Sequence, residues 1–310
     1  MISRRNIRVK VMQTLYSLSS FEKTEILSRN KVAGMLDEKL NQVLDVFTVC
    51  VLYPLKVAQY AESDSIQRSS KYLRTTEDMN VNVKIATNSY IVKTFNKSSF
   101  NEKLKNDKLD RFIDEAWVKK LYLQLAKSDE YTNYISLPET TAKEDKAIIQ
   151  FIWEKLMLGN ELLVSTFVDD LPGWEDNDEL ILMLMQNFFK SDSRIDFLKL
   201  LSAEKKEYAH DLLISVIDKE DLTIDLIGTK LNNWDKERVA LIDMLLLRMA
   251  VCEFLYFPTI PTKVTINEYI DIAKQYSMPQ SGQFVNGVLD NLLKELEREG
   301  KIRKKDRTDK

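Results

Sequence analysis

Apolar positions fall at helical spacing along most of this chain. Residues 4–18 carry Ile7, Val11, Leu15 and Leu18 three to four positions apart, the spacing of one helix face. A second helical pattern runs from about residue 24 to 61 through Met35, Leu36, Leu40, Val43, Leu44, Phe47 and Val51. Pro54 inside it predicts a kink. Residues 62–115 are polar and weakly periodic, with a loop expected over 75–82 and helix resuming over 100–117. From Trp117 to Trp234 the pattern repeats at a displacement of 60. It lays Ile152 on Leu212, Leu156 on Val216, Phe167 on Ile227, Leu171 on Leu231 and Trp174 on Trp234. Each copy reads as helix, short acidic turn, helix and closing Trp, a hairpin unit that packs in bundles. Residues 239–257 are apolar nearly all round, predicting a central buried helix interrupted by Asp243 and Arg248, each of which must be paired or face a partner. Pro258 and Pro261 stop it. Thr265 to Glu268 has the form of a capping box, with Val264 and Tyr269 as its hydrophobic staple. A last helix follows Pro279, with Phe284, Val285, Val288, Leu289, Leu292 and Leu296 on one face. The fold class is all-α.

Composition agrees. Only seven glycines and six prolines in 310 residues leave too few tight turns for an all-β chain, and 44% apolar content supports a real core. The length suits two domains or one large helical one. The net charge of −3 says little, but its distribution is uneven. Arg4, Arg5, Arg8 and Lys10 precede any acid. Glu161 to Glu179 holds seven acids and no base, and the last ten residues turn basic. Cys50 and Cys252 lie in apolar helical runs and read as buried, reduced thiols. Charges interrupt the N-terminus before a signal-like apolar stretch develops. No uninterrupted apolar run nears the roughly 18 residues that span a bilayer, so a cytoplasmic protein with no membrane partner is expected.

Enzyme chemistry finds no support. His210, the single histidine, has no companion ligand, and neither a glycine-rich phosphate loop nor a nucleophile motif is present. The paired acids sit in a solvated run that lacks the apolar setting needed to raise a carboxyl pKa. No metal and no cofactor is expected.

Binding chemistry remains. Arg4, Arg5 and Arg8 share an arc of about 100° at the start of the first helix. There they oppose the macrodipole, so a phosphate-bearing partner explains them better than stability does. At the start of the last helix, Ser281 reads as a cap and Gly282 permits close approach, leaving backbone amides for an anion. Tyr276 and Phe284 flank that turn as stacking surfaces for unpaired bases, and Gln280 and Gln283 can bond base edges. Ordinary surface arginines, and a plain helix cap between core aromatics, are the competing explanations.

RRNIRVKVMQTLYS at the N-terminus, with RVALIDMLLLRMAVCEF, IPTKVTINEYIDIAK and SGQFVNGVLD near the C-terminus, resembles the bacterial transcription antitermination family NusB. With residues 202–234 the resemblance covers under half of the chain. It implies two packed helical bundles, binding to boxA-type RNA of nascent ribosomal RNA leader transcripts, and a heterodimer with NusE, a small-subunit ribosomal protein, acting indirectly on the RNA polymerase elongation complex. By position, Arg4, Arg5, Arg8, Tyr276, Gln280, Ser281, Gln283 and Phe284 match its RNA-contacting regions, and Tyr16 and Asp243 match positions facing NusE. Gln280 stands where the family often has Asp, and Gln283 where a basic residue is common, which puts the preferred RNA sequence in question. The resemblance implies a NusB-like core over residues 1–61 and 202–300, a helical insertion over 62–201 and a basic, disordered tail over 301–310. Two other readings are an RNA methyltransferase accessory module, for which the insertion lacks glycine-rich turns and strands, and a helical protein-interaction scaffold.

Overall fold

The structure is a computed structural model that describes residues 2–19, 28–73, 75–76, 81–191, 195–199, 201–231 and 239–304. Trp234, part of the 75–82 loop and the tail from residue 305 lie outside them. Fourteen α-helices and no strand occur among the described residues. The chain divides into two compact units, one of Asn41–Leu200 and one that joins Ile2–Leu40 to Leu201–Lys310.

Helix α2 (Arg29–Ser69) is 41 residues long and contributes to both units. It continues through Pro54, whose ring nitrogen leaves the Cys50 carbonyl without its helical donor. It is the one helix among the described residues long and apolar enough to cross a membrane, yet 78% of that window is buried in the fold. Cys50 is fully buried within it, and burial pushes its thiol pKa well up.

The 41–200 unit continues with α3 (Ser89–Phe95), α4 (Ser98–Asp107), α5 (Glu115–Leu125), α6 (Asp129–Ser136), α7 (Ala142–Phe151), α8 (Glu161–Asp170) and α9 (Asp178–Lys190). Their starts are written locally. Asn88, Asp114, Ser128 and Asn160 each cap a helix with a side-chain oxygen, and Thr141 with Glu144 forms a capping box at α7. A π-helical turn, Ile152–Met157, extends α7. Its core is aromatic: Phe47 stacks on Phe197 at 5.5 Å, and Phe100 meets Phe197 edge-on at 4.8 Å.

The other unit holds α1 (Arg4–Ser19), the start of α2, α10 (Ala203–Asp218), α11 (Glu220–Gly228), α12 (Leu241–Tyr256), α13 (Thr262–Tyr276) and α14 (Ser281–Arg298). Helix α12 is the buried centre the sequence predicts, packed by α1, α10, α11, α13 and α14. Its Arg248 is paired, donating to the Val216 carbonyl at 3.1 Å and meeting Glu220 at 3.1 Å. Cys252 is buried in it as a free thiol. The sixty-residue displacement corresponds to two helix pairs, α7 with its π turn and α8, then α10 and α11. Ile152 and Leu212, Phe167 and Ile227, and Leu171 and Leu231 are buried in each.

The expected capping box at Thr265 is not formed. Helix α13 starts three residues earlier, after Pro261. Thr265 therefore lies inside the helix and turns its hydroxyl to Glu253 at 2.9 Å, while Glu268 faces Arg8 at 3.4 Å. Val264, its supposed staple, is exposed and Tyr269 is fully buried. Pro261 takes the extended position that precedes the helix, and the Thr265 side chain belongs to the core.

Candidate nucleic-acid interface

The three arginines of α1 have different fates. Helix α1 is buried through Ile7, Arg8, Val11, Met12 and Leu15, and Arg8 falls on that face. Its guanidinium makes a bidentate pair with Glu253 of α12, Nε to Oε1 at 2.7 Å and Nη2 to Oε2 at 3.0 Å. Arg8 is 1% exposed and Glu253 0%. The same carboxylate accepts the hydroxyls of Tyr208, Tyr269 and Thr265. Burial alone would lower the Arg8 pKa, but the hydrogen bonds and charge of Glu253 outweigh it and hold the guanidinium firmly protonated. Burial first, and the Glu253 charge second, keep the Tyr208 hydroxyl protonated. Arg8 is thus an internal strut and is absent from the surface expected for it. Sequence reasoning missed Glu253, although a lone acid within VCEFLYF signals a buried partner.

Arg4 and Arg5 reach the surface, one turn before α1 enters the core. Arg4 pairs with Glu204 at 2.7 Å, and its guanidinium lies 5.5 Å from the Tyr208 ring centroid. Arg5 meets Asp271 of α13 at 3.3 Å. Asp271 also meets Lys274 at 3.5 Å, and the Lys274 stem covers Gly282, where an added Cβ would stand 2.9 Å from the Lys274 Cγ. Arg5, Asp271, Lys274 and Gly282 therefore form one run from the tip of α1 to the start of α14. Asp271 and Lys274 were not among the expected site residues, because single charges on an amphipathic helix carry no distinguishing pattern.

The turn before α14 departs from the expected anion cradle. Gln280 takes the cap position and no side chain caps the helix. The amides of Ser281, Gln283 and Phe284 already donate to the carbonyls of Met278, Gln280 and Gln280, at 2.9, 3.1 and 3.2 Å. Ser281 is buried and donates instead to Asp243 Oδ2 at 2.7 Å, with Ser277 Oγ 3.1 Å away. Asp243, expected to face outward, is 5% exposed. It occupies the first turn of α12, where a carboxylate complements the helix dipole. Asp243 lines a pocket of about 400 Å³ with Val239, Ala240, Met278, Gln280, Ser281, Gln283 and Phe284. Five residues singled out from the sequence thus share one cavity. Gln280 and Gln283 are exposed at its edge, Phe284 is half-buried, and Tyr276 is half-buried at the end of α13. Tyr16 is half-exposed on α1. Among the described residues no acid, His or Cys cluster could hold a metal ion.

A NusB family model matches residues 175–294. The transcription antitermination protein NusB of Desulfatibacillum aliphaticivorans is 39% identical over 99 residues, 32% of this chain and 69% of that protein. This chain belongs to the NusB family. The NusB of Salinibacter ruber is 40% identical over 99 residues, 32% of this chain and 62% of its own. That of Chloroherpeton thalassium is 40% identical over 103 residues, covering 49% of its length. The chain therefore spans about half to two thirds of the curated NusB proteins it matches. A solved NusB structure from T. maritima is 35% identical over 36% of this chain and 83% of that one, with a TM-score of 0.29. The NusB match contains Asp243 and the whole Tyr276–Phe284 turn. It begins at residue 175, inside the stretch assigned from sequence to the insertion. The arginines of α1 and Tyr16 lie outside it.

Proposed function

We propose that the chain is a cytoplasmic, non-enzymatic transcription antitermination factor that binds single-stranded boxA-type RNA together with NusE, and through that complex acts on the transcribing polymerase. The observation that carries this reading is the run from Arg5 through Asp271 and Lys274 to Gly282, next to the Gln280–Phe284 turn. It lies on one unit and ends within the segment shared with antitermination proteins. Arg4 and Arg5 are the phosphate contacts. Their pairs with Glu204 and Asp271 are solvent-exposed and worth roughly 0–1 kcal/mol each, so an RNA phosphate can displace them at little expense. Tyr276 and Phe284 supply stacking, Gln280 and Gln283 reach base edges, and Arg8 and Ser281 hold the helices that carry them. Tyr16 faces NusE. Residues 62–174 are an accessory helical region outside the family segment.

Filter binding of boxA-type RNA, with and without NusE, over a range of salt tests the proposal. Replacing Arg4 and Arg5 with Ala should weaken binding and lower the slope of log K against log salt by about 1.4, at about 0.7 for each phosphate contact on a single strand. An unchanged slope would reduce both arginines to ordinary surface residues, and no binding in either condition would remove the RNA function.

A further inference from the structure

The pocket beside α14 is lined by a residue, Asp243, that carries an unmet acceptor. Asp243 is 5% exposed, its Oδ2 accepts from Ser281, and its Oδ1 has no hydrogen-bond partner among the described residues. A buried acceptor without a donor is costly, and a ligand that supplies one recovers that loss. We propose that this pocket reads an unpaired base bearing an exocyclic amino group, cytosine or adenine, with Asp243 Oδ1 accepting from the amino N–H. The proposal rests on the RNA-binding reading and names the base class that reading leaves open.

Three observations select this ligand. First, the anion that a helix start would otherwise attract finds few donors, because the amides of Ser281, Gln283 and Phe284 are already bonded. Second, the Asp243 charge is already offset. The residue sits in the first turn of α12 and touches the first residue of α14, so the positive ends of two helix dipoles converge on it. A guanidinium or ammonium brought to Oδ1 would meet both positive ends, whereas a neutral N–H₂ supplies the missing hydrogen bond without that repulsion. Third, the cavity of about 400 Å³ has Phe284, Met278, Val239 and Ala240 as apolar walls and Gln280 and Gln283 as amide-bearing ones. That is the scale of a small-ligand site and suits a flat ring with a polar edge. A carboxylate accepting from cytosine N4 is an established geometry of base reading. Uracil, with a carbonyl at that position, would set oxygen against oxygen.

The test uses the full chain and fluorescently labelled 12-nucleotide oligocytidylate, oligoadenylate and oligouridylate at matched salt, read by anisotropy. Oligocytidylate or oligoadenylate should bind roughly 5- to 150-fold more tightly than oligouridylate, the range for one well-formed base contact. An oligomer of N4,N4-dimethylcytidine, which has no amino hydrogen, should lose that advantage on the unaltered protein. Asp243→Asn, checked for native circular dichroism, should flatten or invert the preference, because Ser281 retains the amide oxygen and turns the N–H₂ toward the pocket. Equal affinity for all three oligomers would overturn the assignment. So would an unchanged preference in Asp243→Asn, above all with loss of NusE binding, which would give the pocket to a protein side chain. Failure of every RNA, boxA-type included, would instead sink the RNA function and this assignment with it.

Discussion

Arg8→Ala separates an internal strut from an RNA contact. In the folded chain the Arg8 guanidinium holds Glu253 through two short bonds, and both side chains are sealed from solvent. Among the described residues, truncation removes the one cation bonded to the Glu253 carboxylate, which then keeps the hydroxyls of Tyr208, Tyr269 and Thr265. Breaking a buried pair in this way costs about 3–5 kcal/mol, a fifth or more of the roughly 5–15 kcal/mol that holds a domain together. With a urea m-value of about 1–3 kcal/mol/M, the unfolding midpoint should fall by on the order of 1–5 M. Arg4→Ala, which removes an exposed pair with Glu204 and a contact with the Tyr208 ring, should shift stability by about 1 kcal/mol or less and serves as the control. Combining Arg8→Met with Glu253→Gln should be less damaging than Arg8→Ala alone by about 1–2 kcal/mol, because no uncompensated charge remains. Urea titration by circular dichroism reads all three. A midpoint moved by less than about 0.3 M, accompanied by a large loss of RNA affinity, would refute the strut and return Arg8 to the surface.

Two glycine substitutions should diverge. Gly159→Ala places a Cβ 2.4 Å from the Lys155 carbonyl oxygen and should destabilise by about 1–3 kcal/mol, while Gly34→Ala, in an exposed turn of α2 with open space around it, should stabilise by about 0.4–1 kcal/mol in thermal melts. Burial raises the Asp145 pKa, but the bonds from Ser89 and Tyr134 outweigh it and hold it below its usual value. Asp145 thus contributes stability above the unfolded-state pKa and loses it as pH falls. Asp145→Asn should be the less stable chain at pH 7, with the gap closing below about pH 4, and a constant gap would count against the linkage. Excising residues 62–174 should yield a chain that binds a hydrophobic dye and associates on size-exclusion chromatography, and a monodisperse, dye-free product would contradict that.

Much of the fold is legible because its cause is local. Residues 241–256 form the central helix since almost every side chain is apolar, and the face of α14 follows from Val285, Val288, Leu289, Leu292 and Leu296, all buried. What stays hidden is set across distance. Arg8 and Glu253 are 245 residues apart, so periodicity shows two charges in apolar settings without showing that they meet. Thr265 shows the opposite failure. The string from Thr265 to Glu268 satisfies the capping pattern, yet tertiary partners on α12 and α1 claim both side chains. At the candidate site the residue types were readable, but their polarity was not. Ser281 looked like a cap exposing amides and is a donor to Asp243, a residue that lines the cavity.

The boundary between family segment and addition follows from the same kind of packing. The NusB match begins at residue 175, so α9 is family sequence, yet it is built into the 41–200 unit. Phe188 of α9 lies edge-on to Phe47 of α2 and to Tyr90 of α3, and Phe189 stacks on Tyr90. Phe197, beyond α9, is held between Phe47 and Phe100 of α4. Helices α2, α3 and α4 lie outside the family match, and their aromatics Phe47, Tyr90 and Phe100 pack against Phe188, Phe189 and Phe197 within it. Each large side chain uncovered forfeits about 1.5–3 kcal/mol, so exposing Phe47, Phe188, Phe189 and Phe197 together would cost about 6–12 kcal/mol, comparable to the whole margin of a typical domain. Helix α9, inside the family match, and helices α3 and α4, outside it, therefore share one aromatic core in the 41–200 unit.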